Sequence, residues 1–416
     1  MIKPISISLS PNVEKDDVHL ALSLIFRPWL WRRGKAIAEL ESEFKKYLGV
    51  KYAFSFNSGR SSFFAILRSL ALEKNNDVLL QAFTCNAVPN PILWAGLRPV
   101  YVDCNVDNFN IDINDLKLKI GPNAKILIVQ HMFGLPANMD EIKAVAAQYK
   151  LIVVEDCAHA LGAEYNGKKV GTFGDVAFFS FSRDKVISSV YGGIAVTNDD
   201  VIGKKLEKLQ KEFRSPSRYW IFQQMLHPIL LHYIILPMYN FLDLGKIFLV
   251  FSQWAHILSK AVSSKEKRGQ RPNYFPKALP NALAAMALHQ FSKLDKFYEH
   301  RKKVSNFYYE NLKGTNFILP LNPNDRKQSF LRFTIKHPKA HEIIYESWHK
   351  QNMLLGDWYT TPIAPFDTKI DEIKYKTGAC KNAEELANKT LNLPTHINCS
   401  MADAEKIVAF LKNYGN

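Results

Sequence analysis

Residues 151–161, Leu-Ile-Val-Val-Glu-Asp-Cys-Ala-His-Ala-Leu, place two acidic residues directly after a short apolar run. An apolar run of this length predicts a strand that lies buried in a parallel sheet. Asp156 closes this strand. An aspartate after a strand commonly caps a helix. A functional role for Asp156 therefore has to be supported by other residues of the chain.

A lysine, Lys185, follows Asp156 in the chain, and the two side chains together suit one cofactor. Lys185 ends the segment Phe178-Phe179-Ser180-Phe181-Ser182-Arg183-Asp184-Lys185, and Gly192-Gly193 lie just beyond it. Pyridoxal phosphate (PLP) needs a lysine that holds its aldehyde as a Schiff base and a carboxylate that keeps its pyridine nitrogen protonated. A lone lysine is usually a solvated surface charge. The combination of Lys185 with Asp156 favours a PLP enzyme.

Further motifs run from about residue 5 to the C-terminus and are interrupted only from about 200 to 270. They are Glu39-Leu40-Glu41-Ser42-Glu43-Phe44, Asn57-Ser58-Gly59, Gln81-Ala82-Phe83-Thr84, His131-Met132-Phe133-Gly134, Gly171-Thr172-Phe173-Gly174-Asp175, Pro272-Asn273-Tyr274 and Leu393-Pro394-Thr395-His396. Together with residues 153–165, this ordered set closely resembles the DegT/DnrJ/StrS family of PLP-dependent sugar aminotransferases.

The rest of the chain alternates strand and helix patterns. Residues 126–129 and 194–196 are predicted as buried parallel strands, and residues 139–149 and 283–298 have the apolar spacing of helices. This alternation is typical of a doubly wound α/β fold.

The resemblance implies an aspartate-aminotransferase-like fold, PLP fold type I. We expect a large PLP-binding α/β domain over residues 1–200 and an apolar, basic-flanked helical insertion over 201–272. Residues 273–416 would form a dimer-contacting helix and a smaller α+β domain.

The resemblance also assigns roles in the site. Lys185 would form the Schiff base and then move a proton between substrate and cofactor, while Asp156 would bind the pyridine nitrogen. His159 stands near the ring oxygen, although a lone histidine is more often structural. Four residues are expected at the phosphate: Ser58, Gly59, Arg60 and Ser180. Their helix N-terminus favours an anion.

Asn273 matches an asparagine that reaches the phosphate from the partner subunit, which implies a homodimer with shared active sites. Three positions depart from the family pattern. Arg60 replaces a threonine and would either add charge at the phosphate or point to solvent. Cys85 replaces an aromatic residue that stacks on the cofactor ring. Phe275 replaces an arginine on the substrate side.

The resemblance implies transfer of an amino group, with glutamate as donor, to a keto sugar linked to a nucleotide or a polyprenyl lipid. Such a reaction would serve bacterial surface glycan or amino-sugar biosynthesis. Lys185 argues against the deoxygenating branch of the family, which has histidine there. A catalytically degenerate PLP-binding or membrane-docked scaffold is the alternative, motivated by Cys85 and Phe275.

Composition fits an intracellular enzyme. The chain has 416 residues, of which 47% are hydrophobic, and a net charge of +15. Its five cysteines have no disulfide or zinc spacing, so we expect no metal and a reducing compartment. The N-terminus lacks the apolar core of a signal peptide, which favours the cytoplasm. The basic runs lack interleaved stacking aromatics, which argues against nucleic acid.

An apolar segment, residues 219–258, lies between the basic runs 203–218 and 260–271. Pro228 and Pro237 are expected to break it, so a full membrane crossing is not predicted. Two apolar helical pieces with basic flanks suit the interface of an anionic leaflet, on the inner face of the cytoplasmic membrane. A buried subdomain or an enlarged dimer interface is the alternative.

Overall fold

The computed structural model describes residues 3–415. In chain order, the strands are β1 (Ile5–Ser6), β2 (Tyr52–Phe56), β3 (Asp77–Gln81), β4 (Thr84–Cys85), β5 (Arg98–Val102), β6 (Ala124–Gln130), β7 (Ile152–Asp156), β8 (Glu164–Tyr165), β9 (Lys168–Lys169), β10 (Val176–Ser180), β11 (Gly193–Thr197), β12 (Arg326–Lys327), β13 (Phe333–Lys336), β14 (Met353–Leu354), β15 (Ile363–Ala364) and β16 (Thr390–Leu393).

The α-helices are α1 (Lys15–Ile25), α2 (Ala36–Leu48), α3 (Gly59–Leu70), α4 (Pro89–Trp94), α5 (Ile113–Lys119), α6 (Met139–Tyr149), α7 (Asp200–Glu212), α8 (Arg218–Leu230), α9 (Leu244–Trp254), α10 (Asn281–Phe291), α11 (Leu294–Leu312), α12 (Ala340–Gln351), α13 (Lys381–Lys389) and α14 (Met401–Leu411). Short 3₁₀ turns cover Pro28–Leu30, Met132–Gly134 and Glu266–Arg268, and Leu231–Ile235 forms a π-helical turn.

A seven-stranded sheet forms the centre of the large domain, in the order β2-β11-β10-β7-β6-β3-β5. Strand β11 is antiparallel to both of its neighbours, and the other pairs are parallel. The predicted α/β class is confirmed. The parallel direction predicted for residues 194–196 is wrong. All of β11 is buried, and burial on both faces gives the same apolar run in either direction.

Apolar cores cover both faces of this sheet. Along β10, Val176 and Phe178 belong to one core, while Ala177 and Phe179 belong to the other. This alternation follows from the two-residue repeat of a strand. Both faces are therefore closed, and the edge at the carboxyl ends of the strands remains available for a ligand.

The helix predicted over residues 283–298 is two helices, α10 and α11, separated by Ser292 and Lys293. The Lys293 amine lies 2.9 Å from carboxylate oxygens of both Asp16 and Asp17, and these ion pairs fix the turn. Apolar spacing continues across the turn, so periodicity alone does not reveal it.

The smaller domain contains the antiparallel pair β13 and β16, which shares a core with α11, α12 and α14. Strand β1 pairs in parallel with β14, and Ile5 packs into the same core. Residues 5 and 6 thus belong to this smaller domain.

The apolar segment divides into a buried and an exposed helix. Helix α8 continues through Pro228, against the predicted break. Proline removes its own N–H donor and crowds the carbonyl four residues before it, but core packing of α8 outweighs that cost, and a π-helical turn carries the chain on. Trp220, Ile221 and Met225 of α8 lie in the main core. Helix α9 stays near the surface. Within residues 3–415, no helix combines the length and the apolar character needed to cross a membrane.

Candidate active site

A pocket of about 260 Å³ opens at the carboxyl ends of β2, β7 and β10. Open α/β sheets bind ligands at this edge. The pocket wall includes these predicted site residues: Ser58, Gly59, Arg60, Cys85, Asp156, His159, Ser180 and Lys185. Asn273 does not line it. The smaller domain closes the other side through residues 357–360 and 364–366.

Lys185 projects its amine into this pocket, five residues after β10 ends. Its Nζ lies 4.7 Å from the centre of the Trp358 ring. The desolvated surroundings lower the pKa of Lys185 to about 8, and the neighbouring Asp156 carboxylate offsets only part of that effect. An amine with a lowered pKa is available as a nucleophile near neutral pH.

Glu155 and Asp156 are adjacent acids in opposite situations. The Glu155 carboxylate accepts backbone N–H bonds from Gly171, Phe173 and Gly174, each at 2.7 Å, and a bond from the His131 ring at 3.1 Å. Burial opposes the charge of Glu155, but these hydrogen bonds outweigh burial and lower its pKa. Glu155 therefore anchors the 171–174 turn and is not free to bind a ligand.

Asp156 ends β7 and lines the pocket. Its carboxylate accepts one backbone N–H bond, from Ala158 at 3.0 Å. Burial raises the pKa of Asp156. A cation or a protonated ring nitrogen in the pocket would lower the pKa of Asp156 again, because an opposite charge favours the ionised carboxylate.

Three segments converge on an anion-binding corner, and two of them contribute a glycine. Ser58 caps α3 by accepting the Ser61 N–H at 3.0 Å, which directs the first turn of α3 at the pocket. A side chain on Gly59 would place its Cβ 2.9 Å from the Ser180 Cβ. One on Gly193 would lie 2.5 Å from the Gly59 nitrogen. This close approach leaves backbone N–H groups at a helix N-terminus, which suits a phosphate.

His159 is a neutral, stacked side chain. Its ring lies 5.2 Å from the Trp358 ring at an interplanar angle of 16°. The Phe133 N–H donates to Nδ1 at 3.4 Å, so Nε2 carries the proton of the neutral ring. Burial, reinforced by the positive charges of Lys185 and Arg332, holds the pKa of His159 well below its usual range.

Arg60 forms a buried ion pair with Glu266, so neither of its two predicted placements describes it fully. The guanidinium lines the pocket but its charge is matched, and the side chain is only 9% exposed, which excludes the solvent alternative. It also lies 4.5 Å from the centre of the Phe275 ring. A guanidinium is therefore present beside position 275, although residue 60 supplies it.

Cys85 and Asn273 occupy different surroundings. The Cys85 sulfur accepts the Ala87 N–H at 3.4 Å, and burial raises its pKa, which keeps the thiol protonated. Asn273 is exposed on the surface of this chain. Its predicted contact with a partner's cofactor stays a prediction.

The pocket also contains residues that the sequence analysis did not identify. Trp358 lines the pocket wall. Arg332 lies outside that wall, 3.4 Å from the centre of the Trp358 ring, and burial lowers the pKa of Arg332 to about 10. Arg183 donates to the carbonyl and the hydroxyl of Ser259, both at 2.7 Å. Trp358 reaches the pocket from the smaller domain, with Arg332 packed against it, and no local sequence pattern marks either residue. Arg183 could have been predicted as a site residue from the sequence, since it stands two residues before Lys185.

These residues fit PLP. The pocket offers a buried amine of lowered pKa, a buried carboxylate with one backbone hydrogen bond and a helix N-terminus for a phosphate. Each of these groups suits a different part of the cofactor.

Comparisons with known proteins agree with this geometry. The chain is 27% identical over 405 residues to GDP-perosamine synthase of Caulobacter vibrioides, covering 97% of this chain and 96% of that protein. It is 28% identical over 366 residues to a UDP-N-acetyl-3-dehydro-alpha-D-glucosamine 3-aminotransferase of Acidithiobacillus ferrooxidans, covering 88% and 84%. The PLP form of Spr1654, a putative sugar aminotransferase of Streptococcus pneumoniae, superposes with a TM-score of 0.77 at 18% identity, covering 100% and 98%.

The model of the DegT/DnrJ/EryC1/StrS aminotransferase family matches residues 12–223 and 261–412. Residues 224–260 fall between the two matched segments. The matched parts carry the pocket, including Lys185 and Asp156. The chain belongs to the DegT/DnrJ/EryC1/StrS family of PLP-dependent aminotransferases.

Proposed function

We propose that this enzyme transfers the amino group of glutamate to a keto sugar carried on a nucleotide. The observation that carries the proposal is the meeting of Lys185 and Asp156 in one pocket of an aminotransferase-family chain. The names of two relatives support the nucleotide carrier, since one contains GDP and the other UDP. A polyprenyl carrier is the alternative, and biosynthesis of a bacterial surface glycan or amino sugar is the proposed setting.

Bound PLP would supply an electron sink that lets a proton leave the carbon bearing the nitrogen. Lys185 would hold the cofactor covalently through Nζ and, once released, would carry that proton between substrate and cofactor. Its pKa of about 8 suits both accepting and donating a proton near neutral pH. Asp156 would accept a hydrogen bond from the ring nitrogen, while the Ala158 N–H orients the carboxylate.

The remaining roles concern positioning. The N-terminus of α3 and Ser180 would bind the phosphate, and neutral His159 would donate its Nε2–H toward the ring oxygen. We propose that Asn273 completes the phosphate site of a partner subunit, which makes the active unit a homodimer. The five free cysteines of the described chain support a cytoplasmic location.

A coupled assay tests the proposal. PLP-loaded enzyme is mixed with glutamate and either UDP-N-acetyl-3-dehydro-alpha-D-glucosamine or a GDP-linked keto sugar, and 2-oxoglutarate and amino sugar are measured by mass spectrometry. We expect equal amounts of the two products with at least one acceptor, and none with Lys185→Ala. Turnover with polyprenyl diphosphate-linked keto sugars alone would overturn the proposal of a nucleotide carrier. If glutamate gives no 2-oxoglutarate under any condition, the proposal that glutamate is the amino donor is overturned.

A further inference from the structure

Helix α9 presents an apolar surface that transamination does not use. Four of its side chains are spaced three and four residues apart and share one exposed face: Ile247 (60% exposed), Val250 (68%), Phe251 (50%) and Trp254 (75%). We call these residues the α9 face. Exposed apolar patches of this kind mark contacts with partners or membranes. We propose that the α9 face and the loop of residues 26–35 bind the surface of an anionic lipid bilayer.

The α9 face cannot turn inward, because the opposite side of the helix is locked. A side chain on Gly245 would place its Cβ 2.3 Å from the Ile235 carbonyl oxygen. Ser252, on the same inner side, is fully buried. Below the helix lies a small apolar core of Leu231, Ile235, Tyr239 and Leu258. The outward apolar residues are therefore a stable feature of the surface.

The loop of residues 26–35 combines exposed aromatic and basic side chains. Phe26 is 72% exposed and Trp29 is 69% exposed. Arg27, Arg32 and Arg33 are exposed as well, and none of them forms an ion pair within residues 3–415. No acidic residue occurs from 18 to 38. Aromatic and basic residues placed together are typical of segments that lie in a bilayer interface.

The loop and the α9 face meet at one turn of α8. Trp31 stacks on Phe222 with ring centres 6.2 Å apart. The Tyr219 hydroxyl donates to the His256 carbonyl at 3.0 Å, and the Gln223 amide also donates to it. Residues 219, 222 and 223 belong to a single helical turn. The end of α9 and the loop are thus held beside each other.

Charge favours anionic lipid over a protein occupant. Residues 213–265 contain one acidic residue, Asp243, which pairs with Lys246 at 2.8 Å. A second copy of this chain, docked face to face by a two-fold axis, would bring two surfaces of the same positive charge together. A bilayer with acidic headgroups accepts both the apolar side chains and the positive charges.

The basic run 203–218, which is adjacent to the apolar segment in sequence, is partly neutralised within the chain. On α7, Lys211 pairs with Glu207 at 2.5 Å and Lys208 pairs with Glu212 at 4.0 Å. Arg27, Arg32 and Arg33 of the loop of residues 26–35 add positive charge, unpaired in the described part of the chain, beside the α9 face.

Vesicle binding tests this inference without any sugar substrate, so its outcome is independent of the transaminase assignment. The PLP-loaded full chain is sedimented with phosphatidylcholine vesicles, with and without phosphatidylglycerol, at low and high salt. We expect binding that needs phosphatidylglycerol and weakens with salt. Arg27→Gln, Arg32→Gln and Arg33→Gln should each weaken it about fivefold.

A second variant removes the apolar contact. Val250→Ser, Phe251→Ser and Trp254→Ser combined should abolish vesicle binding and leave the sedimentation coefficient in solution unchanged. The matched control, Leu118→Ser with Tyr345→Ser, removes exposed apolar side chains elsewhere and should bind as the wild type does. Two results would overturn the inference: wild-type protein that ignores acidic vesicles, or a face variant that loses an oligomeric state, which would assign the face to a second copy.

Discussion

At the scale of single residues, the site depends on two neighbouring acids that the backbone directs to different tasks. Glu155 accepts three backbone N–H bonds from the 171–174 turn, whereas Asp156 accepts one backbone N–H bond, from Ala158, and faces the pocket. The sequence identified Asp156 as the cofactor residue through the family resemblance. The reason that Glu155 is excluded became visible only in the fold.

Replacing each acid by its amide should separate these tasks. Asp156→Asn removes the charge that would hold the ring proton, so turnover should fall at least about 100-fold while the melting temperature stays near that of the wild type. Glu155→Gln should lower stability, because a neutral amide cannot match the donors it leaves buried. Glutamate half-reaction kinetics and thermal unfolding distinguish the two. An inactive Glu155→Gln beside a fully active Asp156→Asn would show that the assignment is reversed.

The lowered pKa of Lys185 predicts a pH effect on the apoprotein. Between pH 8 and 10.5 the unfolded chain holds a proton that the folded chain has lost, so stability should rise with pH across this window. Below pH 8 the lysine destabilises the fold by about 2 kcal/mol, allowing for its partial exposure to the pocket.

Lys185→Met should remove that effect. In urea unfolding of the apoprotein, the variant should be more stable than the wild type at pH 7, and the difference should shrink by pH 10. Lys46→Met, a change at an exposed lysine, is the control and should leave the slope unchanged. A wild-type stability that falls from pH 8 to 10 relative to Lys185→Met would contradict the lowered pKa.

At the scale of elements, the sequence predicted what is local and missed what depends on neighbours. Helix α6 runs over Met139–Tyr149, the predicted range, because amphipathic spacing and the Asn138 cap are both local. The direction of β11 depends on its pairing with neighbouring strands. The turn between α10 and α11 depends on ion pairs of Lys293 with aspartates that are distant in sequence. Trp358 enters the pocket from the smaller domain, which no local pattern predicts.

The corner between α3 and β10 should tolerate no extra atom. Gly59→Ala would press its Cβ against Ser180, so PLP affinity should fall at least about tenfold while the fold persists. Gly121→Ala is the control, since no atom lies within 4 Å of the added carbon. PLP dissociation constants from fluorescence titration decide the question. Equal affinity of Gly59→Ala and wild type would show that the corner does not bind the phosphate.

At the scale of the whole molecule, the site is assembled from distant parts of the chain. Residues 357–360 of the smaller domain cover a pocket that the large sheet builds. Asn273 is exposed and outside the pocket of its own chain, which is compatible with the proposed role in a partner's site.

Mixed subunits test that sharing. Lys185→Ala and Asn273→Ala enzymes should each be inactive, and a mixture should regain partial activity because a hybrid dimer contains one intact site. Subunit exchange is verified with differently tagged chains. Exchange without recovered activity would place Asn273 outside the partner's site.

Lys185 is expected to hold the cofactor through its side-chain amine. The most direct measurement reduces PLP-loaded enzyme with borohydride, with and without prior glutamate, and locates the pyridoxyl group by peptide mass spectrometry. Without glutamate, the group should lie on the peptide that contains Lys185. After glutamate, labelling should disappear, because the donor's nitrogen has displaced the lysine from the cofactor. A label on another lysine, or a label on Lys185 that glutamate leaves unchanged, would contradict the account.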